Sequence, residues 1–228
     1  MEIKLVVTGD GSTSLFIPDL DEHYHSIHGA IQESMHVFIH AGLKPLLESK
    51  KEIKILEIGF GTGLNALLTA IESMKQNVAI QYTTIEKYPI SPEFITQLNF
   101  CSLVDNPNCS DRFKKIHDCE WEQMTAISPE FSLKKIKADF KTIEFANTFD
   151  VLYYDAFAPS AQPELWTEDI FKIMYKALKK EGILVTYCAK GIVKRTMKSV
   201  GFEVVALPGP PGKREMTKAI KHNDENQI

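Results

Sequence analysis

The most constraining stretch of the chain is residues 53–65, IKILEIGFGTGLN. A short apolar run with β-branched residues ends at Glu57-Ile58 and breaks into three alternating glycines, Gly59, Gly61 and Gly63. Leu64, Leu67, Leu68 and Ile71 then recur at helical spacing among good helix formers. The pattern predicts a strand, a tight turn and a helix N-terminus, the junction at which α/β proteins bind nucleotides. Glycine there opens backbone angles closed to other residues and lets a ligand approach the main chain.

The spacing limits the ligand. The turn reads G-x-G-x-G with Glu57 two residues ahead, which is not the G-x-G-x-x-G of a pyrophosphate-binding turn, and no Lys-Ser or Lys-Thr follows to make a P-loop. A carboxylate at the strand end repels polyphosphate and suits a cationic or hydroxyl-bearing ligand. A second acid, Glu86, follows the next predicted strand, Ala79–Ile85, where an acid can hold both ribose hydroxyls of an adenosine. Together these point to S-adenosylmethionine, whose amino and sulfonium groups are cationic.

The chain has 228 residues, 44% hydrophobic and 25% charged, enough for one well-packed domain. We expect an N-terminal extension over 1–50 that covers the cofactor site, a cofactor-binding domain over 51–221 and a polar tail over 222–228. No apolar run approaches the roughly 20 residues of a membrane span, and the N-terminus lacks a signal pattern. Cys101, Cys109, Cys119 and Cys188 show no C-x-x-C pairing. They read as reduced thiols in a cytoplasmic protein, not as disulfides or metal ligands. Net charge is −4, yet residues 170–221 carry ten lysines and two arginines against three glutamates, or +9, leaving −13 for the rest. That asymmetry suits one basic face toward phosphates, although lysines on exposed helix faces are also ordinary.

Along the chain, residues 2–7 and 14–18 read as a hairpin about Gly9–Gly11, followed by an irregular stretch and a helix over 30–41 with Ile31, Met35 and Phe38 on one face. Tyr24 and Gln32-Glu33-Ser34 are the polar candidates of this piece for ligand contact, with Tyr24 and Ser34 assigned to the cofactor. His36 and His40 share a helix face, but no third ligand is implied, so no metal is expected. Ser91-Pro92 opens another helix. Residues 112–116 read as a third strand ending at Asp118, which either binds the adenine amino group or caps the next turn. Residues 128–144 read as a peripheral amphipathic insertion. Residues 149–155 form a buried strand ending at Asp155, before a helix over about 163–178. Then come a strand (182–188), a helix (192–200), a strand (202–207) and a loop (208–214). A last strand, 215–220, is antiparallel to its neighbour because only a loop joins them. Glu57, Glu86, Asp118 and Asp155 are thereby expected to converge on the carboxyl rim of one sheet.

The order of elements and the Glu57–Gly63 turn resemble class I S-adenosylmethionine-dependent methyltransferases. More narrowly, GFGTGLN (59–65), EKYP (86–89), DAFAP (155–159), PELWT (163–167) and GKREM (212–216) resemble the methyltransferase domain of the MnmC family, named for tRNA 5-methylaminomethyl-2-thiouridine biosynthesis. The likeness covers nearly the whole chain and departs at Ala156, where the family carries glycine. It implies a Rossmann-like α/β fold: a mostly parallel seven-stranded sheet with an antiparallel last strand, helices on both faces, and a small N-terminal hairpin and helix. It also implies methylation of the exocyclic amine of 5-aminomethyl-2-thiouridine at the tRNA wobble position, with the tRNA anticodon loop as partner. S-adenosylmethionine would be the cofactor, joined to Gly59, Gly61, Gly63, Asn65, Glu86 and Lys87 besides Glu57 and Asp155. No FAD domain is expected, so a separate oxidoreductase would act earlier. Asp155 is expected to hold the amine, as base or as orienting acceptor. Phe157 and Trp166 either stack on a splayed base or are core. Lys190, Arg195, Lys213 and Arg214 are phosphate candidates, with Arg214 alternatively pairing a carboxylate. The competing readings are an aminopropyltransferase of the spermidine synthase type, a small-molecule amine N-methyltransferase, and a non-catalytic RNA-binding relative.

Overall fold

The computed structural model describes residues 2–222. The chain opens with an antiparallel three-stranded sheet, β1 (Lys4–Val7), β2 (Thr13–Ile17) and β3 (Glu22–His23). Asp10 in the first turn accepts the Thr8 and Ser12 hydroxyls and the Gln32 amide, so the hairpin tip secures the helix that follows. That helix continues further than its expected end. It runs through α1 (Ala30–Ser34), a π-helical segment (Met35–Leu43) and α2 (Lys44–Leu47), with the Lys44 N–H bonded to Ile39 O. The wider turn moves the buried face to Val37, Phe38, Ile39 and Leu43, while Ile31 and Met35 are only half-buried.

The main sheet is built from β4 (Glu52–Ile58), β5 (Ala79–Ile85), β6 (Met124–Ala126), β7 (Phe131–Ile136), β8 (Phe149–Tyr154), β9 (Leu178–Thr186), β10 (Phe202–Pro208) and β11 (Glu215–Lys221). Its spatial order is β10-β11-β9-β8-β4-β5-β7-β6. Strands β7, β5, β4, β8 and β9 are mutually parallel, and β11 is inserted antiparallel between β9 and β10, as its short connection requires. This is the expected doubly wound arrangement with β6 added at the far edge, giving eight strands instead of seven. Helix α3 (Leu64–Gln76), the π-helical segment and α6 (Cys109–Asp118) cover one face; α7 (Glu168–Ala177) and α8 (Gly191–Ser199) cover the other. All six residues of β8 are buried, as a central parallel strand demands. The alternation is clean: Ile53 and Ile55 face α3, whereas Leu56 and Ile58 face α7 and α8.

Four expectations are corrected. Residues 112–116 belong to helix α6, whose buried Cys109, Arg112, Phe113 and Ile116 follow three-and-four spacing. Residues 128–144 are not a peripheral insertion, because they contain β7, paired in parallel with β5. Phe131, Leu133 and Lys135 alternate inward there, and Lys135, 1% exposed, donates to His117 O at 2.6 Å. The helix expected from 163 is a 3-10 turn, Pro163–Leu165, separated from α7 by Thr167 at its N-cap. Cys101 and Cys109 are joined as a disulfide, since α5 (Phe100–Leu103) is followed closely by α6; Cys119 and Cys188 are free. The helix opened by Ser91 is a single turn, α4 (Pro92–Ile95), without a side-chain cap. Of the expected tail, 223–228 lies outside the described residues. No helix among the described residues is long and apolar enough to cross a membrane.

Candidate active site

The parallel strands end in step. Ile58 aligns with Ile85 on one side and Tyr154 on the other, and Ile85 aligns with Ile136. The backbone beyond is tied together at that edge: Gly59 N donates to Ile85 O, Asp155 N to Ile58 O and Glu86 N to Ile136 O. Gly59, Glu86 and Asp155 therefore share one rim; of the four acids expected there, Glu86 and Asp155 are in place, whereas Glu57 and Asp118 are not. Gly59 adopts φ 89°, and a Cβ on it would lie 2.9 Å from Asp155 O, so only glycine lets the two loops touch. Gly61, at φ 49°, lies under the Tyr24 ring, which a Cβ would approach to 3.2 Å. Gly63, at φ 74°, precedes α3.

Glu86 turns toward the glycines: its Oε2 accepts from Gly61 N at 3.2 Å and its Oε1 from Tyr88 N at 2.8 Å. Asn65, on the first turn of α3, donates through Nδ2 to Asp155 Oδ2 at 2.8 Å, leaving Oδ1 for a ligand. Asp155 faces a cavity of about 340 Å³ that Tyr24, Glu33, Phe157, Tyr187 and Lys213 also line. Burial, reinforced by the nearby Glu33 charge, pushes the Asp155 carboxyl up to about 7; Asn65 and Lys213 act the other way. Phe157 meets the Tyr24 ring edge-on at 5.2 Å. Burial, followed by the Glu86 charge, lifts the Tyr24 phenol to about 12.

The cover over this cavity comes from both ends of the chain. Glu33, 7% exposed, accepts from Ser26 N at 2.8 Å and from Lys213 Nζ at 2.5 Å. Lys213 also sits 4.0 Å from the centroid of the Tyr187 ring, whose hydroxyl donates to Ala156 O. His36 Nε2 bonds Pro208 O at 2.8 Å, so the π-helical segment also meets the end of β10. His25, which sequence reasoning missed, links Ser14 Oγ (3.0 Å) to Thr62 Oγ1 (3.1 Å) and so joins the small sheet to the glycine turn. Burial drives its pKa down to about 4, keeping the ring neutral. No spacing pattern marks it, because its partners come from two distant segments.

Other sequence candidates are placed differently. Glu57 is fully buried beneath the turn, facing α3 rather than the cavity. Ser34 is buried in its helix and is not among the cavity-lining residues. Lys87 reaches sideways to Asp139 at 3.0 Å. Asp118 is not at a strand end: it closes α6 with its side chain 58% exposed and paired with Lys114. Trp166 is core, 5% exposed, with Nε1 bonded to Phe157 O at 2.8 Å and its ring against Tyr154. Lys213 points inward to Glu33 instead of outward to solvent, which removes it from the phosphate candidates. Lys190, Arg195 and Arg214 remain exposed, near the start of α8 and at the end of the 208–214 loop. Among the described residues no group of three or more His, Cys, Asp or Glu is placed to hold a metal ion.

Three glycines, an acid turned to the turn amide and a largely enclosed carboxylate thus gather at the carboxyl edge of the central strands, where doubly wound folds bind ligands, and of these only Asp155 lines the cavity. The profile of a family described as S-adenosyl-L-methionine-dependent methyltransferase matches residues 108–222, half of the chain. The chain belongs to that family. It is 30% identical over 227 residues to a tRNA 5-methylaminomethyl-2-thiouridine biosynthesis bifunctional protein MnmC from Cupriavidus metallidurans, covering 94% of this chain and 33% of the relative. The chain thus spans about a third of the length of the curated relatives it matches. In fold it resembles MNMC2 from Aquifex aeolicus, with a TM-score of 0.78 and 24% identity over 96% of this chain and 69% of that one. Spermidine synthase from Thermotoga maritima superposes with a TM-score of 0.53 at 13% identity, over 97% of this chain and 79% of that one.

Proposed function

We propose that this chain transfers a methyl group from S-adenosylmethionine to the aminomethyl nitrogen of 5-aminomethyl-2-thiouridine at the tRNA wobble position. One observation carries the reading: Asp155, raised to about 7, sits at the central strand end beside the glycine turn and opens onto the covered cavity. The names of the relatives supply the substrate class. Gly59, Gly61, Gly63 and Glu86 would hold the cofactor, the glycines by close backbone approach and Glu86 through the ribose hydroxyls. Bound there, S-adenosylmethionine supplies an electrophilic methyl group.

The residues of the chain do the rest. A primary alkylamine is protonated at neutral pH and has no free lone pair. Asp155 Oδ1 receives an N–H of that amine, and a carboxyl near 7 is poised to take its proton at working pH. Asn65 holds the other oxygen, which fixes the plane of the carboxylate. Tyr24 and Phe157 form the aromatic wall against which a base splayed from the anticodon loop packs. Lys190, Arg195 and Arg214 give sequence-independent phosphate contacts. In this reading the protein acts in the cytoplasm, and an oxidoreductase activity acting earlier prepares its amine.

A second reading, aminopropyl transfer to a polyamine, draws on Asp21, Glu22 and Glu33 lining the same cavity and on the fold shared with spermidine synthase. The assay supplies labelled S-adenosylmethionine with tRNA carrying the 5-aminomethyl group, and decarboxylated S-adenosylmethionine with putrescine in parallel. Methyl incorporation into tRNA alone supports the first reading, and a product only in the polyamine arm overturns it.

A further inference from the structure

The mechanism above uses Asp155 and Asn65 but leaves a second carboxyl beneath them unexplained. Glu57 has no exposed surface, and neither of its oxygens is within hydrogen-bonding geometry of a partner. The Thr84, Asn65 and Tyr82 side chains nevertheless lie near enough to ease its charge, and the Thr69, Tyr82, Thr84 and Tyr153 hydroxyls around it are likewise unpartnered. Among the described residues no cation is paired with it. Every element packed around it presents only neutral or acidic groups: Asn65 and Thr69 from α3, Tyr82 and Thr84 from β5, Tyr153 from β8, and Asp155 beyond β8. Asn65 Oδ1 is also buried without a partner, although Asn65 Nδ2 is engaged with Asp155. A carboxylate has no proton to offer that orphaned acceptor, whereas a carboxylic acid has one. Leaving an ionised carboxylate dry and unpaired is among the costliest arrangements a core can hold.

We propose that Glu57 is held as a neutral carboxylic acid at working pH, and that it acts as a positioning residue that fixes the Asn65 amide so that Nδ2 is turned to Asp155. This deepens the proposed amine methylation and rests on it. One proton is shared unequally by a coupled pair. Glu57 keeps it because only neutral dipoles and no cation face it, and Asp155 keeps the negative charge because Asn65, the Lys213 cation and the cavity side compensate for it. The direction agrees with burial, which raises both carboxyls, while a cation opposes the rise at Asp155 alone. Were Glu57 ionised, a second negative charge would push Asp155 upward until it was already protonated and unable to accept a proton from the amine. The acid of the glycine turn would then serve not as an anionic contact for the cofactor cation but as the group that keeps its neighbour charged.

The decisive measurement is made on the ligand-free protein and does not depend on which substrate is methylated. Infrared difference spectra of wild type minus Glu57→Gln at about pH 7.5, where Asp155 is largely ionised, should show the C=O stretch of a protonated carboxyl. The asymmetric stretch of a carboxylate in its place overturns the proposal. Calorimetry with S-adenosylmethionine should find Kd changed by less than about threefold in Glu57→Gln, whereas a loss of about a hundredfold would mean that an anionic Glu57 holds the cofactor. In the methylation assay Glu57→Gln, which can still donate to Asn65 Oδ1, should restore most of the kcat that Glu57→Ala loses. Equal loss in both variants contradicts the positioning role. If Glu57→Ala does not fold, the spectrum and the Glu57→Gln titration decide alone. Failure of methyl transfer to tRNA in wild type would reject the substrate while leaving the protonation result intact.

Discussion

Replacing Asp155 by Asn should make the protein more stable and inactive, and the gain should depend on pH in a defined way. The unfolded carboxyl titrates near 3.8, and the folded one is raised to about 7, chiefly by burial. Below the unfolded value both states are protonated and Asp155 costs nothing. As pH rises through the window the unfolded chain ionises freely while the folded protein resists. The folded state therefore loses stability until about pH 7 and stays penalised above it. A shift of about 3 units corresponds to roughly 4 kcal/mol, and water in the cavity reduces the expectation to about 2–4 kcal/mol. Asparagine does not titrate, and its Oδ1 can still accept from Asn65 Nδ2. Urea unfolding at about pH 4, 6 and 8 should show Asp155→Asn level with wild type at the lowest pH and ahead by about 2–4 kcal/mol at the highest. Removing the Asp155 charge also eases the ionisation of Glu57, to which it is coupled, and this adds to the gain at the highest pH in the same direction. A variant equally offset at every pH, or destabilised at about pH 8, would refute the claim that Asp155 is a desolvated, functionally strained acid.

Lys213→Met should leave Glu33 buried and unpaired, costing about 1–3 kcal/mol in urea unfolding given the partial exposure of the lysine. Because Lys213 also holds Asp155 down, its loss should move the acidic limb of the kcat–pH profile to higher pH. Gly59→Ala should cost about 1–3 kcal/mol, through positive φ and the contact with Asp155 O, and should abolish S-adenosylmethionine binding by calorimetry. The triple variant of Lys190, Arg195 and Arg214 to Ala should weaken tRNA binding and flatten its salt dependence by up to about three phosphate contacts, with cofactor affinity unchanged.

What the sequence disclosed follows from where signals are local. The apolar run, the glycines and the leucines of α3 lie within one short stretch, and strand Ala79–Ile85 was bounded to the residue. Local signals also misled. Lys134, Lys135 and Lys137 conceal the inward alternation of β7, because Lys135 is buried by a tertiary contact with His117 O and by the Phe60 and Trp121 rings. Phe113 and Ile116 suit a strand on their own, but Cys109 and Arg112 complete a helical face with them, which carries Asp118 to a helix end instead of a strand end. The rim acids Glu86 and Asp155 were legible because strand ends mark them. The cover formed by Glu33, Lys213 and His25 was not, since its partners lie far apart in sequence: Glu33 and Lys213 are separated by 180 residues.

The central claim is methylation of an amine held by Asp155, and nucleoside mass spectrometry tests it most directly. Purified protein would be incubated with S-adenosylmethionine and tRNA bearing 5-aminomethyl-2-thiouridine. The account predicts that the wobble nucleoside gains one methyl group on the aminomethyl nitrogen, and that Asp155→Asn, though folded and able to bind S-adenosylmethionine, leaves it unmodified. A wobble nucleoside unchanged by the wild-type protein, or methylated equally well by the variant, would contradict it.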